Sequence, residues 1–511
     1  MKKDDPILPL IPYPALVRFG SGKFALSAEF DLTSPPGIPG VDFFKEQLVL
    51  LRPNSRFTSS KSQQNITRII LRIYKDISPK EEAYKLLIDN GKIFITSPSD
   101  KGLFAGCITL LQLLSHFKHT MPNLEIIDYP RFEWRGLHLD VSRHFFKVEF
   151  IKKYLDLMAL HKLNRFHWHL TDDNGWRLEI KKYPGLTEIS SWREDLEDYP
   201  WRERDLHQGK SKRKYGGFYS QEDVREIVCH AAERNIEIIP EIEMPGHSRE
   251  VFAAYPQFSC TGKKLTVAPG GYWPNCDIFC AGKEETFHFL QNILAEVIEL
   301  FPSPWIHLGG DEVDRSRWHE CEDCQLRINT EHLKDEVQLQ SYFLRQIGNF
   351  LKENDKQYLG WDEIFESTIP SETIIMCWQN DGISAAEQAV SRGNRVILCP
   401  NRKLYFDWHQ TDAANEPGAF GVTTLEQVYD YNPETVNMTA SQKKLILGIQ
   451  ANLWTEFIAT PKQAEYMAYP RTCALAEAAW SEPAVKDYSS FLHRLQYHKK
   501  LLAEMQVNFH K

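Results

Sequence analysis

No stretch of the 511 residues approaches the ~18 consecutive apolar positions that a membrane-spanning helix needs, so no transmembrane segment and no membrane partner is expected. A basic excess is missing too. Lys and Arg number 60 against 69 Asp and Glu, a net charge of -9, which excludes a general nucleic-acid binder with its basic face. There is no short-period repeat and no low-complexity tract. No Gly-x-Gly-x-x-Gly loop follows an early strand, so the main mark of an open dinucleotide-binding sheet is absent. The opening "MKKDDPILPLIPYP" carries Asp4 and Asp5 behind its lysines and prolines through its apolar part, and does not read as a signal peptide. The protein is expected in the cytoplasm, or in the periplasm or outside the cell with a leader that lies outside this sequence.

Ten cysteines in a chain this long do not make a small-protein disulfide scaffold. Cys107 and Cys229 fall in helix-like apolar patterns, Cys377 and Cys399 in strand-like ones, and these four read as free core thiols. Cys260, Cys276 and Cys280 bracket one long loop-like segment, which leaves a disulfide there open. Cys321-x-x-Cys324 lacks a second ligand pair and reads poorly as a zinc site.

What is present is a globular composition, 42% hydrophobic and 25% charged, with 13 Trp and 12% aromatics, the kind of side chain that sugar-binding clefts use as platforms. Residues 1–127 read as a small α+β domain, with strand-like runs "ALVRFG", "RIILRIY", "AYKLLID" and "KIFITS" and the helix-like run "GLFAGCITLLQLLSHF". The segment "TMPNLEIIDYPRFEWRG", with Pro122 and Pro130, reads as a linker. From 128 to 511 the pattern changes. Strand-length apolar runs at 136–142, 165–170, 237–244, 305–312, 358–364, 373–378, 395–400 and 445–454 alternate with helix-length amphipathic runs at 149–163, 221–234, 285–301, 337–354, 382–392 and about 463–480. Eight strand candidates alternating with helices predict a parallel (β/α)₈ barrel, the α/β class, rather than an open sheet.

In such a barrel the active site lies where the strands end. The eight ends carry Asp140 and Arg143; Asp172 and Asp173; Glu243 and His247; Asp311 and Glu312; Trp361, Asp362 and Glu363; Trp378; Tyr405 and Asp407; Trp454 and Glu456. Taken singly, each reads as a rim tryptophan, a satisfied histidine or a helix N-cap. Together they place carboxylates, one arginine, one histidine and several tryptophans at one mouth, which describes a carbohydrate-hydrolase pocket. The rival is a metal site. His167-x-His169 puts two imidazoles on one strand face, but His247 and His307 are the only later candidates, and His307 is expected several residues before its strand ends.

The runs "RGLHLDVSRHF", "NRFHWHLTDDNGWRLEIKKYP", "PEIEMPGHS", "IHLGGDEV" and "YMAYPRTCALAEAAWS" resemble, in order and spacing, the motifs of glycoside hydrolase family 20, the β-N-acetylhexosaminidases, over about 128–482. The resemblance implies an exo-acting, retaining hydrolase of terminal β-linked GlcNAc or GalNAc on a glycan, with no cofactor, no metal and no nucleic acid. It implies substrate-assisted catalysis, in which the 2-acetamido oxygen attacks the anomeric carbon. By that resemblance Glu312 is the general acid and base, its carboxyl raised by burial and by a neighbouring charge. Asp311 orients the acetamido group. Asp172 and His247 support Glu312, and Tyr405 bonds the acetamido oxygen. Arg143, Asp407 and Glu456 bind hydroxyls, and Trp361, Trp378 and Trp454 wall the sugar. Gly309 and Gly310 are expected to leave room for close packing. Glu243 stands where the family pattern often has Asp. Some family members close the 259–280 loop with a disulfide, which makes Cys260 and Cys280 the pair to inspect.

Overall fold

A computed structural model of the chain describes residues 7–58, 66–89, 91–271, 275–366, 369–412, 416–434 and 437–511. The N-terminal part is one sheet of seven strands: β1 (Leu16–Ala25), β2 (Glu29–Thr33), β3 (Arg56–Phe57), β4 (Thr67–Ile73), β5 (Tyr84–Asp89), β6 (Lys92–Ser97) and β7 (Thr120–Asp128), in the spatial order β1-β7-β5-β6-β4-β2-β3. Buried and half-buried positions alternate along β4 and β5, as expected when one face of a sheet is covered. The cover is the helix Asp100–His116, started by Ser99, whose Oγ accepts from the Gly102 N–H at 3.3 Å.

The segment 120–136 is not a plain linker. It contains β7, which lies between β1 and β5. Leu124, Ile126 and Asp128 turn to the buried side at strand spacing, and this period overrides the prolines that suggested a break. Pro122 pairs opposite Lys23, beside the irregularity between Phe19 and Lys23, where a missing N–H is tolerated.

Eight further strands close into a parallel barrel: β8 (Trp134–Asp140), β9 (Arg165–His169), β10 (Glu237–Glu241), β11 (Trp305–His307), β12 (Gln357–Trp361), β13 (Ile374–Cys377), β14 (Val396–Leu398) and β15 (Ile446–Ala451). They follow one another around the ring, and β15 pairs back onto β8. Every residue of β8 is buried, the mark of a strand covered on both faces. The helices between strands are amphipathic. Glu336–Glu353 buries Leu339, Phe343, Ile347 and Leu351 at four-residue spacing behind an N-cap in which Asp335 accepts from the Gln338 N–H. The run at 463–480 is two helices, Pro461–Ala468 and Arg471–Trp480, because Pro470 has no N–H to continue the first. Cys107, Cys377 and Cys399 are buried as expected, but Cys229 is exposed: it lies off the Val224, Ile227, Ala231 stripe that its helix buries. Among the described residues no helix is long and apolar enough to cross a membrane.

A buried polar knot joins the sheet to the barrel. The Asp128 carboxylate accepts from Tyr84 Oη at 2.7 Å, from Lys162 Nζ at 3.1 Å and from Trp480 Nε1 at 3.0 Å. Both charged side chains are almost wholly out of solvent. Removing one partner strands the other charge in a low dielectric, so Asp128→Ala is expected to lower the unfolding free energy by ~3–5 kcal/mol. Replacing both partners by apolar isosteres (Asp128→Leu with Lys162→Met) should recover most of the loss. Urea unfolding of the two variants reads this, and equal loss in both would contradict the stranded-charge explanation.

Candidate active site

The fourth barrel strand is shorter than its apolar run suggests. β11 stops at His307, its last residue, and the chain then turns through Gly309 at φ 66° and Gly310 at φ 91°. Side chains are disfavoured there for two reasons. The backbone is left-handed, and the space is taken: a Cβ on Gly309 would lie 1.6 Å from Glu243 Oε2, and one on Gly310 2.4 Å from Ile364 Cγ2. The room left by Gly309 is thus filled by the Glu243 carboxyl. The turn ends strand alternation, so the consecutive Asp311 and Glu312 both line one cavity. Glu312 at φ 48° and His247 at φ 46° are themselves left-handed, a backbone cost of roughly 1–3 kcal/mol each that tends to persist where side-chain aim matters.

The cavity has a volume of about 180 Å³. That is below the roughly 300–1,000 Å³ typical of sites for drug-sized ligands, and suits one small ring better than an extended chain. Of the residues singled out from the sequence, Arg143, His247, Asp311, Glu312, Trp361, Trp378, Tyr405, Asp407, Trp454 and Glu456 line it. Asp172 does not; it lies buried behind His247. Trp378 stacks on Tyr405 with ring centres 6.0 Å apart and planes 15° from parallel, and Trp454 meets Tyr405 at 6.2 Å. Asn401, Trp408 and Phe420 also line the cavity and were missed. Trp408 directly follows Asp407 and offered a signal; Asn401 opens the short helix Asn401–Leu404 and Phe420 lies in the short strand Ala419–Val422, and neither carried one.

Charges are arranged in a chain. Arg143 Nη2 lies 2.8 Å from Asp172 Oδ2, and its Nη1 lies 3.3 Å from Asp140 Oδ2. His247 Nδ1 lies 3.2 Å from Asp172 Oδ1, while its Nε2 is 3.6 Å from both Asp311 Oδ2 and Glu312 Oε2. Burial alone would discharge His247, but the carboxylate of Asp172, with Asp311 next, raises its pKa well above the ordinary value and keeps it an imidazolium. Asp172, although buried, is held far below the carboxylate range by Arg143 and His247. Burial, against the pull of His247 and with the push of Glu312, lifts Asp311 to about 6. The more buried acid of the pair is Asp311, its side chain 12% exposed, against 27% for Glu312, where the sequence reading had expected burial to act. Across the cavity, burial also raises Asp407 and Glu456, which leave Oδ1 and Oε2 without partners. Such unpaired buried oxygens suit a ligand rich in hydroxyls.

Below the cavity sits a second acid that went unremarked, Glu241. His307 Nδ1 lies 2.7 Å from its Oε1, Trp361 Nε1 donates to the same oxygen at 2.9 Å, and His167 Nε2 is 3.1 Å from Oε2, where His169 Nδ1 also bonds. His169 Nε2 reaches on to Asp172 Oδ2 at 2.8 Å. His167 and His169 therefore meet carboxylates under the site, and neither lines it. The signal for Glu241 was its period-two relation to Glu243 within "EIEM".

Cys260 and Cys280 are not joined: all ten cysteines are free. Nor does Cys321-x-x-Cys324 lack a second pair. The barrel loops bring Cys260, Cys280, Cys321 and Cys324 to one place, with sulfurs all within 4.8 Å of one another. Two residues 64 positions apart in sequence could not be paired by spacing.

Comparison with known proteins bears on this arrangement. Residues 132–483 match the model described as "Glycosyl hydrolase family 20, catalytic domain", and residues 8–129 match "Glycosyl hydrolase family 20, domain 2". The chain is 42% identical over 445 residues to a beta-hexosaminidase of Porphyromonas gingivalis, covering 84% of this chain and 55% of that protein. It is 36% identical over 484 residues to a beta-hexosaminidase of Vibrio furnissii, covering 93% and 76%. It thus spans about half the length of the first of these relatives and three quarters of the second. Among solved structures it superposes with a TM-score of 0.88, at 32% identity, on a family 20 exo beta-N-acetylglucosaminidase from Vibrio harveyi in complex with N-acetylglucosamine, over 99% of this chain and 78% of that one.

The double-glycine turn makes a direct prediction. Gly309→Ala should lose ~1–2 kcal/mol from the left-handed backbone alone, and more by displacing the Glu243 carboxyl. In the Glu243→Ala background only the backbone part of the loss should remain. Thermal or urea unfolding of the four proteins of this cycle separates the two contributions, and no coupling between the sites would refute the contact.

Proposed function

The chain belongs to glycosyl hydrolase family 20, and from that premise we propose that it is an exo-acting, retaining β-N-acetylhexosaminidase that removes terminal β-linked GlcNAc or GalNAc by substrate-assisted catalysis. The observation that carries this reading is the pairing of consecutive Asp311 and Glu312 in one small cavity walled by Trp361, Trp378 and Trp454. The cavity supports exo action because it holds one ring and not a chain.

In this mechanism the substrate's acetamido oxygen attacks the anomeric carbon as Glu312 gives its proton to the departing oxygen. Glu312 then takes a proton from the water that opens the oxazolinium intermediate, and the anomeric configuration is retained. Asp311 accepts the acetamido N–H, aims the group and balances its developing positive charge. Tyr405 donates to the acetamido oxygen. Trp361, Trp378 and Trp454 enclose the ring and exclude water. Arg143, Asp407 and Glu456 bind the outer hydroxyls, which would supply the missing partners of the two acids. His247, held charged by Asp172, lies equally far from Asp311 and Glu312 and restrains both.

Glu312→Gln is expected to cut turnover by roughly two to four orders of magnitude, the usual scale of a lost general acid. A variant with near-normal turnover would remove Glu312 from that role. The pH dependence has a fixed sign. Asp311 must be ionised to accept the N–H, and its pKa of about 6 means that it gains a proton as pH falls through that value. The kcat/KM of the free enzyme should therefore fall on the acid side below about pH 6, and Asp311→Asn should abolish that limb along with most activity. A limb that survives in Asp311→Asn belongs to another group.

A further inference from the structure

The four-cysteine cluster lies outside the cavity and plays no part in the reaction proposed above. Cys260 Sγ lies 3.8 Å from Cys324 Sγ, and Cys280 Sγ lies 3.8 Å from Cys321 Sγ and 3.6 Å from Cys324 Sγ. Four thiolates placed tetrahedrally about zinc at about 2.3 Å lie about 3.8 Å from one another. Three of the six separations in the cluster match that length, and all six are within 4.8 Å. We propose that Cys260, Cys280, Cys321 and Cys324 form a structural site for one zinc ion.

The backbone around the sulfurs is built to hold them there. Ser259 and Phe279 form an isolated antiparallel bridge, which puts Cys260 and Cys280 at diagonal positions on either side of it and ties their two segments together. Cys321 and Cys324 have two residues between them, as in zinc knuckles, at the start of the helix Glu322–Thr330. The two halves are pressed together: a Cβ on Gly282 would lie 2.2 Å from the Asp323 carbonyl carbon and 2.4 Å from the Cys324 nitrogen, so only glycine allows the approach. Trp318 Nε1 donates to the Phe279 carbonyl at 2.9 Å and closes the contact from the other side. Cys280 and Cys324 are fully buried, and Cys260 and Cys321 are partly so. Four thiols lose their protons on taking Zn²⁺, which leaves a complex of charge -2. Two basic side chains bond backbone carbonyls beside it, although Arg327 also pairs with Glu284 at 2.9 Å. Lys283 Nζ bonds the Gln257 and Ser259 carbonyls at 2.9 and 2.7 Å, and Arg327 Nη2 bonds the Gly282 carbonyl at 3.3 Å.

The site has a consequence for the pocket. Cys260 and Cys280 belong to the long segment after β10, which also carries His247. Cys321 and Cys324 follow the turn that carries Asp311 and Glu312. One ion would staple these two loops, and so fix the 3.6 Å separations between His247 and the two acids.

The test is metal analysis of the full chain, purified without chelators or metal-affinity steps, together with a thiol count. One zinc per chain is expected, with four cysteines shielded from alkylation until the metal is stripped. The Cys321→Ser, Cys324→Ser double variant should hold none and melt at a lower temperature. Because that variant can fail to fold, the intact protein is also exchanged with Co²⁺, whose visible absorption should be that of tetrahedral thiolate-bound cobalt. Protein that takes up no zinc when offered it, iron bound in its place, or the four cysteines recovered as two disulfides would each overturn the proposal.

Discussion

The site depends on a buried imidazolium. His247, itself almost wholly buried, stands within 3.7 Å of four carboxylates, those of Asp172, Asp173, Asp311 and Glu312. Uncompensated acids at that density would repel one another and take up protons. Arg143 and His247 supply the positive charge, and they do so asymmetrically. Asp172, between the two cations, is pinned in its ionised form, while Asp311, with His247 facing it, reaches the midpoint of its titration at mildly acidic pH, about 6. A group so poised responds strongly to one added hydrogen-bond donor, which is what an acetamido N–H would bring.

Backbone geometry delivers the acids to that field. A strand continued to residue 312 would send adjacent side chains to opposite faces. The early stop of β11 and the two left-handed glycines remove that constraint, and Glu243 locks the turn by occupying the space beside Gly309. Beneath it, Glu241 is tied to His167, His169, His307 and Trp361, so the floor of the pocket is a polar network rather than an apolar core. The Asp172–His169–Glu241 contacts join this floor to the charge chain above.

The barrel was legible in the sequence because eight apolar runs of strand length each recur between amphipathic helices, and burial on both faces leaves little else for them to be. Polar residues at the ends of those runs named ten of the cavity-lining side chains, since a barrel gathers strand ends in one place. What stayed hidden depended on distance in the chain. Glu241 reads as one more acid until three imidazoles from β9 and β11 are seen around it. The second pair for Cys321 and Cys324 comes from a different barrel loop, and no spacing rule links the two. The strand β7 was masked by its prolines, of which Pro122 sits beside an irregularity in the pairing with β1 and Pro130 lies beyond the strand's end. The relative burial of Asp311 and Glu312 depends on a turn whose direction local sequence leaves open.

The central claim is that the acetamido group of the substrate is itself the nucleophile. It is tested most directly by comparing hydrolysis of an aryl β-N-acetylglucosaminide with that of the matching aryl β-glucoside, each with and without a thiazoline mimic of the oxazolinium intermediate. The account predicts cleavage of the acetamido sugar alone, abolished by the thiazoline. Comparable cleavage of the plain glucoside, insensitive to the thiazoline, would contradict it.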